Sequence, residues 1–172
     1  MKLLVVSDIH GRCDRLIRVL QMHRDADALV FLGDGLRDLE RADVESYGFT
    51  VFAVKGNCDG TSFLHPESDP PAELCFTFDG FRFFALHGHT KGVKHSTNMA
   101  IYAAMEREAD ILLYGHTHIP EEKYFSPERL EYSKPLRVFN PGSLGNSEDG
   151  WGHFGLIQIS DGNILMSQGK IL

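Results

Sequence analysis

Residues 3–11, Leu-Leu-Val-Val-Ser-Asp-Ile-His-Gly, contain the pattern from which the fold is predicted. The run at 3–6 is short, continuous and apolar, which is typical of a strand buried on both faces of a sheet. Polar and glycine residues follow at once, so the strand should end in a loop that carries Asp8 and His10. The sequence thus predicts two candidate ligand side chains directly after a buried strand.

The same arrangement, an apolar run followed by a polar cluster, occurs at five places along the chain. The clusters are 7–11 (Ser-Asp-Ile-His-Gly), 33–35 (Gly-Asp-Gly), 56–59 (Gly-Asn-Cys-Asp), 87–89 (His-Gly-His) and 115–118 (Gly-His-Thr-His). In an open parallel sheet the carboxyl ends of the strands lie along one edge, where ligands bind. We therefore expect Asp8, Asp34 and Asn57 to meet in space.

Hydrophobic periodicity predicts the remaining elements. Helices are predicted at 13–23, 36–47 and 96–109, and strands at 3–6, 28–32, 50–54, 74–78, 81–86, 111–114, 123–125, 136–139, 153–159 and 163–168. Asp79-Gly80 is a strong hairpin signal, and a loop with Pro66, Pro70 and Pro71 precedes that hairpin. The strand-rich last third suggests that the protein adds a second sheet. No linker or repeat divides the chain, so we predict one α/β domain over 1–172 with two packed sheets.

The charge and the cysteines limit the functional class. Acidic residues outnumber basic ones 24 to 17, the net charge is −7, and no basic stripe is present, so extended nucleic-acid binding is not expected. Cys13, Cys58 and Cys75 are odd in number and widely spaced, which favours reduced thiols in a cytosol. The apolar start is too short for a signal peptide or a membrane span. We therefore expect a cytoplasmic protein.

The strand-end side chains form a candidate metal centre. Mixed imidazole and carboxylate donors suit Mn²⁺, Fe²⁺, Zn²⁺ or Ni²⁺, whereas an all-oxygen site would favour Mg²⁺ or Ca²⁺. Two ions are expected, and Asp34, central among the first three strand ends, is our candidate bridge. Taken one at a time, Gly-Asp pairs more often serve turns or caps, and a buried His is more often a hydrogen-bonded core group. The matching placement of all the donors favours metal binding.

With these five clusters in this order, the chain resembles the calcineurin-like metallophosphoesterases over its whole length. The compact length, the 56–59 segment and the loop 140–143 (Asn-Pro-Gly-Ser) are most similar to the small YfcE-like branch of phosphodiesterases. The resemblance implies a four-layer sandwich, with two packed mixed β-sheets flanked by helices. It further implies a metal-dependent phosphoesterase, more a diesterase than a monoesterase.

The resemblance also implies how the ligands divide between the two ions. One ion would be held by Asp8, His10 and His118, the other by Asn57, His87 and His116, with Asp34 shared. In the family mechanism the ions bind phosphate oxygens and an activated hydroxide attacks phosphorus in line. We expect two divalent transition-metal ions, Mn²⁺ first, with Ni²⁺, Fe²⁺, Zn²⁺ and Mg²⁺ as alternatives.

One position departs from the family pattern. Many relatives have a His directly after the ligand Asn, where it protonates the leaving group, but this chain has Cys58. A thiol suits that role less well. Our hypothesis is that the enzyme prefers acidic leaving groups or recruits another acid such as His89. The predicted catalytic residues are therefore Asp34, Asn57, His10, Cys58 and His89.

Other polar and aromatic residues are predicted to have structural roles. We expect Arg12 to be a solvated helix-start residue, and His23, His65, His95 and His153 to be surface or structural. The phenylalanines Phe76, Phe78, Phe81, Phe83 and Phe84 have strand-like spacing, which favours core packing over base stacking. The loop at 140–143 should shape the site through its backbone.

Two classes of function are compatible with this sequence. The first is an enzyme acting on a small phosphate-ester substrate, with no membrane partner and with homo-oligomerisation through strand edges left open. The second is a non-catalytic protein-binding scaffold, because a retromer subunit with this fold has a degraded metal site. Here every ligand position retains a competent donor, which favours the enzyme.

Overall fold

The computed structural model describes residues 1–60, 69–130 and 132–172. The strands are β1 (Lys2–Val6), β2 (Ala28–Phe31), β3 (Thr50–Ala53), β4 (Glu73–Phe78), β5 (Phe81–Leu86), β6 (Ile111–Tyr114), β7 (Glu121–Phe125), β8 (Leu136–Asn140), β9 (Gly152–Ser160) and β10 (Asn163–Ile171). The helices are α1 (Cys13–Met22), α2 (Leu36–Arg41), α3 (Asn98–Glu106) and α4 (Pro127–Leu130), with 3-10 turns at Val44–Tyr47 and His89–Lys91. The predicted residues His65 and Pro66 lie outside the described residues.

The first sheet has the strand order β10-β9-β1-β2-β3. Strands β1, β2 and β3 are parallel, so their carboxyl ends share one edge as predicted, whereas β9 is antiparallel to β1. The prediction that the last third adds a second sheet is wrong for β9 and β10. Leu3 lies opposite Ile157, and both are buried, because the final hairpin covers the open side of β1.

The second sheet has the order β4-β5-β6-β8-β7 and comes from the middle of the chain. Strands β5, β6 and β8 are parallel, and β4 and β7 pair antiparallel at the two edges. The β4–β5 hairpin turns at Asp79-Gly80, as predicted, with both turn residues at positive φ. Both sheets are therefore mixed, and each has parallel strands at its centre.

The described residues form three apolar layers, and successive side chains along a strand point into different layers. Leu3 and Val5 belong to the core between the sheets, while Leu4 and Val6 pack beneath α1 and α2. A third cluster lies between the second sheet and α3. Strand β1 is apolar throughout because both of its faces are covered. The predicted sandwich, two mixed sheets flanked by helices, is confirmed.

The phenylalanines of β4 and β5 pack in the core, as predicted. Phe76 stacks on Phe52 with ring centroids 3.9 Å apart and on Phe83 at 4.9 Å, between the sheets. Phe84 points to the opposite face, where the guanidinium of Arg107 lies 4.5 Å from its ring centroid. These aromatic rings are occupied by packing and none is presented as a base-stacking platform.

Two helices differ from their predicted bounds. The helix expected at 36–47 ends at Arg41, because Asp43 adopts a left-handed conformation (φ 49°) and a separate 3-10 turn follows. The helix expected at 96–109 is confined to Asn98–Glu106, and Glu108 is again left-handed (φ 53°). An L-residue in this region interrupts the helical hydrogen-bond ladder. Within the described ranges, no helix combines the length and apolar character needed to cross a bilayer.

Candidate metal centre

The strand-end loops of the two sheets are joined by direct hydrogen bonds. In the first sheet, the Asp8 N–H donates to the Gly33 carbonyl (2.9 Å). Between the sheets, the His116 N–H donates to Asp8 Oδ2 (2.9 Å), although the two residues are 108 positions apart in the sequence. The predicted clusters therefore form one site across the edges of both sheets.

The predicted ligands carry much of the unusual backbone geometry of the protein. Of the nine non-glycine residues with positive φ in the described part of the chain, five are predicted ligands: Asp8, His10, Asp34, His116 and His118. Such conformations are strained for most side chains and collect at functional sites. The surrounding hydrogen bonds must hold these loops, because the isolated backbone would prefer other conformations.

One group of donors surrounds Asp8 Oδ1. The Nε2 atom of His118 lies 3.1 Å from this oxygen and that of His10 lies 3.8 Å away. The same two nitrogens are 3.3 Å from each other. Donors around a divalent ion bound at about 2.0–2.3 Å are themselves roughly 3–4 Å apart, so these spacings suit a common ion.

A second group of donors surrounds the Nε2 atom of His87. Asn57 Oδ1 lies 3.2 Å from it, and His116 Nδ1 lies 3.1 Å away. Asp34 Oδ2 is 3.4 Å from the same His87 nitrogen and 3.9 Å from His10 Nε2 in the first group. The carboxylate of Asp34 thus lies between the two groups.

The chemistry of this donor set fits divalent ions. Asp8 is fully buried, and its Oδ1 lacks a hydrogen-bond partner among the described residues. The Nδ1 atoms of His87 and His118 donate to the carbonyls of Leu32 (2.6 Å) and Asn146 (3.0 Å), which turns both Nε2 lone pairs toward the centre. A buried orphan oxygen facing imidazole lone pairs is the environment that a cation satisfies.

The electrostatics of the site reflect the crowding of carboxylate and imidazole donors. Burial alone would raise the pKa of Asp34, but hydrogen bonds from His87 and the Cys58 N–H hold it well below its usual range. Burial, reinforced by the charge of His87, lowers the pKa of His116 to about 4. Interaction with the Asp8 carboxylate raises the pKa of His118. The close approach of carboxylates and imidazoles thus shifts the pKa values of His116 and His118 in opposite directions.

Asp59 organises this site, although it was given no role from the sequence. Its carboxylate accepts four backbone N–H groups, two on each oxygen: Gly35 and Leu36 on Oδ1 (both 2.8 Å), and Asp34 (2.8 Å) and Gly56 (2.9 Å) on Oδ2. It therefore ties the β3 loop to the β2 loop that carries Asp34. Its position two residues after Asn57, in a predicted strand-end cluster, was the available signal.

The loop at 140–143 shapes the site, as predicted, and uses side chains as well as backbone. Asn140 Nδ2 donates to the Gly115 carbonyl (3.2 Å) and to Thr117 Oγ1 (2.9 Å). Ser143 Oγ donates to the Asp8 carbonyl (2.8 Å). The segment that follows this loop, residues 144–150, is held by the buried Arg15, which donates to the carbonyls of Leu144, Gly145 and Gly150. This second set of contacts fixes the loop whose Asn146 carbonyl orients His118.

The two predicted proton donors lie on different sides of the centre. The sulfur of Cys58 lies with donor atoms of His10 and Asp34 in a group whose members are all within 4.8 Å of one another. The ring of His89 lies 5.4 Å from that of His87 and 6.1 Å from that of His116, between centroids. Burial, together with His87, lowers the pKa of His89, whereas burial and the Asp34 carboxylate raise the pKa of Cys58 to about 11.

An open pocket adjoins the Cys58 side of the centre. Its volume is ≈ 400 Å³, and its lining includes His10, Asp34 and Cys58 together with Arg37 and Arg41 of α2. Because the pocket shares three side chains with the centre, a molecule bound there would lie directly beside any ions. The pocket is large enough for one small organic group.

The other predicted residues have structural or surface positions, as expected. Arg12 pairs with Asp14 (3.0 Å) on the surface, and His95 is exposed. His153 is buried and hydrogen-bonds the carboxylate of Asp149 (3.0 Å). His23 lies against Phe154, with ring centroids 5.2 Å apart.

Comparison with known proteins agrees with this architecture. The profile of the calcineurin-like phosphoesterase superfamily domain matches residues 1–162. Phosphodiesterase YfcE of Escherichia coli K12 is 32% identical over 169 residues, covering 87% of this chain and 83% of YfcE. Probable metallophosphoesterase YsnB of Bacillus subtilis is 29% identical over 145 residues, covering 84% and 75%.

Solved structures share the fold at lower identity. A predicted phosphoesterase from Streptococcus pneumoniae TIGR4 superposes with a TM-score of 0.72 at 22% identity, covering 99% of this chain and 97% of that one. These levels of identity establish the fold alone, while the profile match and the YfcE relative establish the family. The chain belongs to the calcineurin-like phosphoesterase superfamily.

Proposed function

We propose that the protein is a phosphodiesterase that hydrolyses small phosphate diesters at a dinuclear metal centre. The observation that carries this proposal is the position of Asp34, whose Oδ2 lies 3.4 Å from His87 Nε2 and 3.9 Å from His10 Nε2. A carboxylate between two groups of donors is the bridging ligand that a two-ion site requires. The YfcE relative, named a phosphodiesterase, supports the diester preference.

We assign the ligands to two ions by their proximity. One set of ligands is Asp8, His10 and His118, the other is Asn57, His87 and His116, and Asp34 is common to both. Divalent ions bound here would supply positive charge toward the phosphoryl oxygens and lower the pKa of water. We propose Mn²⁺ as the preferred ion, since three or more imidazoles with hard carboxylate oxygens suit borderline metals.

The protein's own residues would bind and orient the ester. The pocket of ≈ 400 Å³ beside Cys58 offers room for one ester substituent. Asp34 stays ionised, since its pKa is held below its usual range, and so retains its negative charge at neutral pH. The net charge of −7 disfavours long polyanions and favours small substrates.

The proton for the leaving alkoxide would come from Cys58 or His89. Both side chains lie beside the centre, with Cys58 on the pocket side and His89 near His87. Cys58→His and His89→Ala should therefore change how kcat depends on the leaving-group pKa across a series of aryl esters. Wild-type dependence in both variants would exclude both residues as the acid.

The remaining features of the proposal concern cellular context. The three cysteines are free, Cys13 partly buried and Cys58 and Cys75 exposed, which fits a reducing cytoplasm. We also propose that residues 1–172 act as one domain, since the loops of both sheets build a single centre. Its partner in this proposal is a small phosphate diester.

The decisive experiment reloads metal-free protein separately with Mn²⁺, Ni²⁺, Mg²⁺ and Zn²⁺ and screens phosphodiesters, phosphomonoesters and cyclic nucleotides. We expect hydrolysis of diesters with Mn²⁺ and its loss in Asp34→Ala and His87→Ala, while the exposed control His95→Ala retains it. Tight metal binding without turnover of any activated diester would contradict the enzyme. Failure to bind metal would instead favour the non-catalytic protein-binding scaffold, the second class of function compatible with the sequence.

A further inference from the structure

We infer that Cys58 is a conditional metal ligand, recruited to the His10–Asp34 side of the centre by thiophilic divalent ions such as Zn²⁺ and left unbound by Mn²⁺. The inference rests on the proposed function only in requiring that the centre holds ions. It gives Cys58 a role in metal selectivity, separate from proton donation.

The geometry places the Cys58 sulfur at the donor set. Its Sγ, a ring nitrogen of His10 and a carboxylate oxygen of Asp34 all lie within 4.8 Å of one another. Its backbone N–H donates to Asp34 Oδ1 at 2.7 Å, which fixes the base of the side chain against the bridging carboxylate. Ligand atoms around a bound zinc ion lie roughly 3–4 Å apart, so a rotation of the exposed thiol would add the sulfur to the ligands already assigned to this ion, giving the five-coordinate arrangement that Zn²⁺ can adopt.

The neighbouring amide is oriented to support a sulfur ligand. Asn57 Nδ2 donates to Cys58 Sγ at 3.2 Å, while Asn57 Oδ1 faces His87 Nε2 at 3.2 Å. The NH₂ group of Asn57 therefore hydrogen-bonds the sulfur, while the carbonyl oxygen of the same amide faces the group of ligands around His87. A hydrogen bond donated to sulfur stabilises the negative thiolate more than the neutral thiol.

The selectivity follows from ligand softness. Thiolate sulfur binds Zn²⁺ and Co²⁺ well, whereas Mn²⁺ prefers oxygen and nitrogen. On binding, the S–H bond breaks, its proton leaves to solvent, and the sulfur lone pair forms the bond to the ion. The bond from sulfur to a soft ion is strong enough to offset the free energy of removing this proton, whereas the bond to a hard ion is not.

The other two cysteines provide matched controls. Cys13 lies with its sulfur 3.7 Å from the Asp38 carbonyl, and Cys75 is exposed on β4. In the part of the chain that the structure describes, neither belongs to a group of three potential ligands. Any sulfur–metal signal in this protein should therefore depend on Cys58 alone.

The test uses Co²⁺ as the spectroscopic probe for Zn²⁺, with metal-free full-length protein. We expect a near-ultraviolet sulfur-to-cobalt charge-transfer band in the wild type and in Cys75→Ser, and its loss in Cys58→Ser and Cys58→Ala. Calorimetry should show Zn²⁺ affinity reduced by about 10-fold or more in Cys58→Ser, as for other lost metal-site contacts. The Mn²⁺ affinity of the same variant should stay at the wild-type value.

A band that persists in both Cys58 variants, or no band in wild-type protein with stoichiometric Co²⁺, would overturn the inference. Circular dichroism checks that both variants are folded. The band does not depend on turnover, so a Cys58-dependent band in a protein without hydrolysis would leave this inference intact and remove the proposed enzyme. Mn²⁺-dependent hydrolysis by a protein that shows no such band would support the proposed enzyme and overturn the inference about Cys58.

Discussion

Asp59→Asn is the most stringent test of how the centre is held together. In the wild type, each carboxylate oxygen accepts two backbone N–H groups, from Gly35 and Leu36 or from Asp34 and Gly56. Asparagine has one acceptor oxygen, so it can serve only one pair. Its amide NH₂ would face the other pair, donor against donor.

The magnitude follows from this count of lost acceptors. Each buried N–H left unpaired costs about 1–3 kcal/mol, and we take the lower part of this range because Asp59 is half-buried and water can enter. Two such groups reduce the free energy of unfolding by about 2–3 kcal/mol. For a chain of this size, that change lowers Tm by about 4–12 °C.

The assay is thermal unfolding of the metal-free protein, because bound ions would add their own stabilisation. Asp161→Asn is the matched control: Asp161 is exposed in a turn with φ 51°, which asparagine tolerates, so its effect should stay below about 0.5 kcal/mol. The Mn²⁺ affinity of Asp59→Asn should also fall, since the Asp34 loop loses its anchor. Wild-type stability together with wild-type Mn²⁺ affinity in Asp59→Asn would refute this reasoning.

Three further predictions follow from other contacts. Gly56→Ala should abolish tight metal binding, because its Cβ would lie 2.1 Å from the Asp34 carboxylate. The control Gly60→Ala meets nothing within 4 Å and should bind metal as the wild type does; equal metal affinities of the two variants would contradict the prediction. Burial alone would lower the pKa of His87, but the carboxylates of Asp34 and Asp8 outweigh burial and raise it. A metal ion must displace the proton from His87, so Mn²⁺ affinity should keep rising with pH above about 6.5, the ordinary His pKa. A Mn²⁺ affinity that does not change above this pH would exclude the prediction. Arg15→Met should lower the free energy of unfolding by about 2–4 kcal/mol, because carbonyls of the 144–150 loop lose a buried charged donor. Denaturant unfolding measures this free energy, and a change below about 0.5 kcal/mol would contradict the prediction.

The strand ends and their donors could be predicted because they are local features of the chain. An apolar run of four or five residues closed by glycine and polar residues marks a buried strand and its exit loop, without knowledge of any partner. Asp8 after the run 3–6 and His116 after the run 111–114 are examples, and both lie at the centre. Parallel order then predicts a shared edge for β1, β2 and β3.

The sheet that receives each strand could not be predicted in the same way. Strands β9 and β10 read as a second sheet, yet β9 pairs with β1, from the opposite end of the chain. Local pattern specifies which residues are extended and which face is apolar. The choice of partner depends on packing between distant side chains, such as Leu3 against Ile157.

The amino-acid sequence by itself determined the donor types, their strand-end positions and the family. Only the tertiary structure decided which atoms face one another: the acceptor role of Asp59, the position of Asp34 between the two groups of donors, and the approach of the Cys58 sulfur to the centre. A side chain's residue type sets the bonds it is able to make. The bonds it does make depend on backbone groups brought beside it from elsewhere in the chain, and that information exists only once the fold has formed.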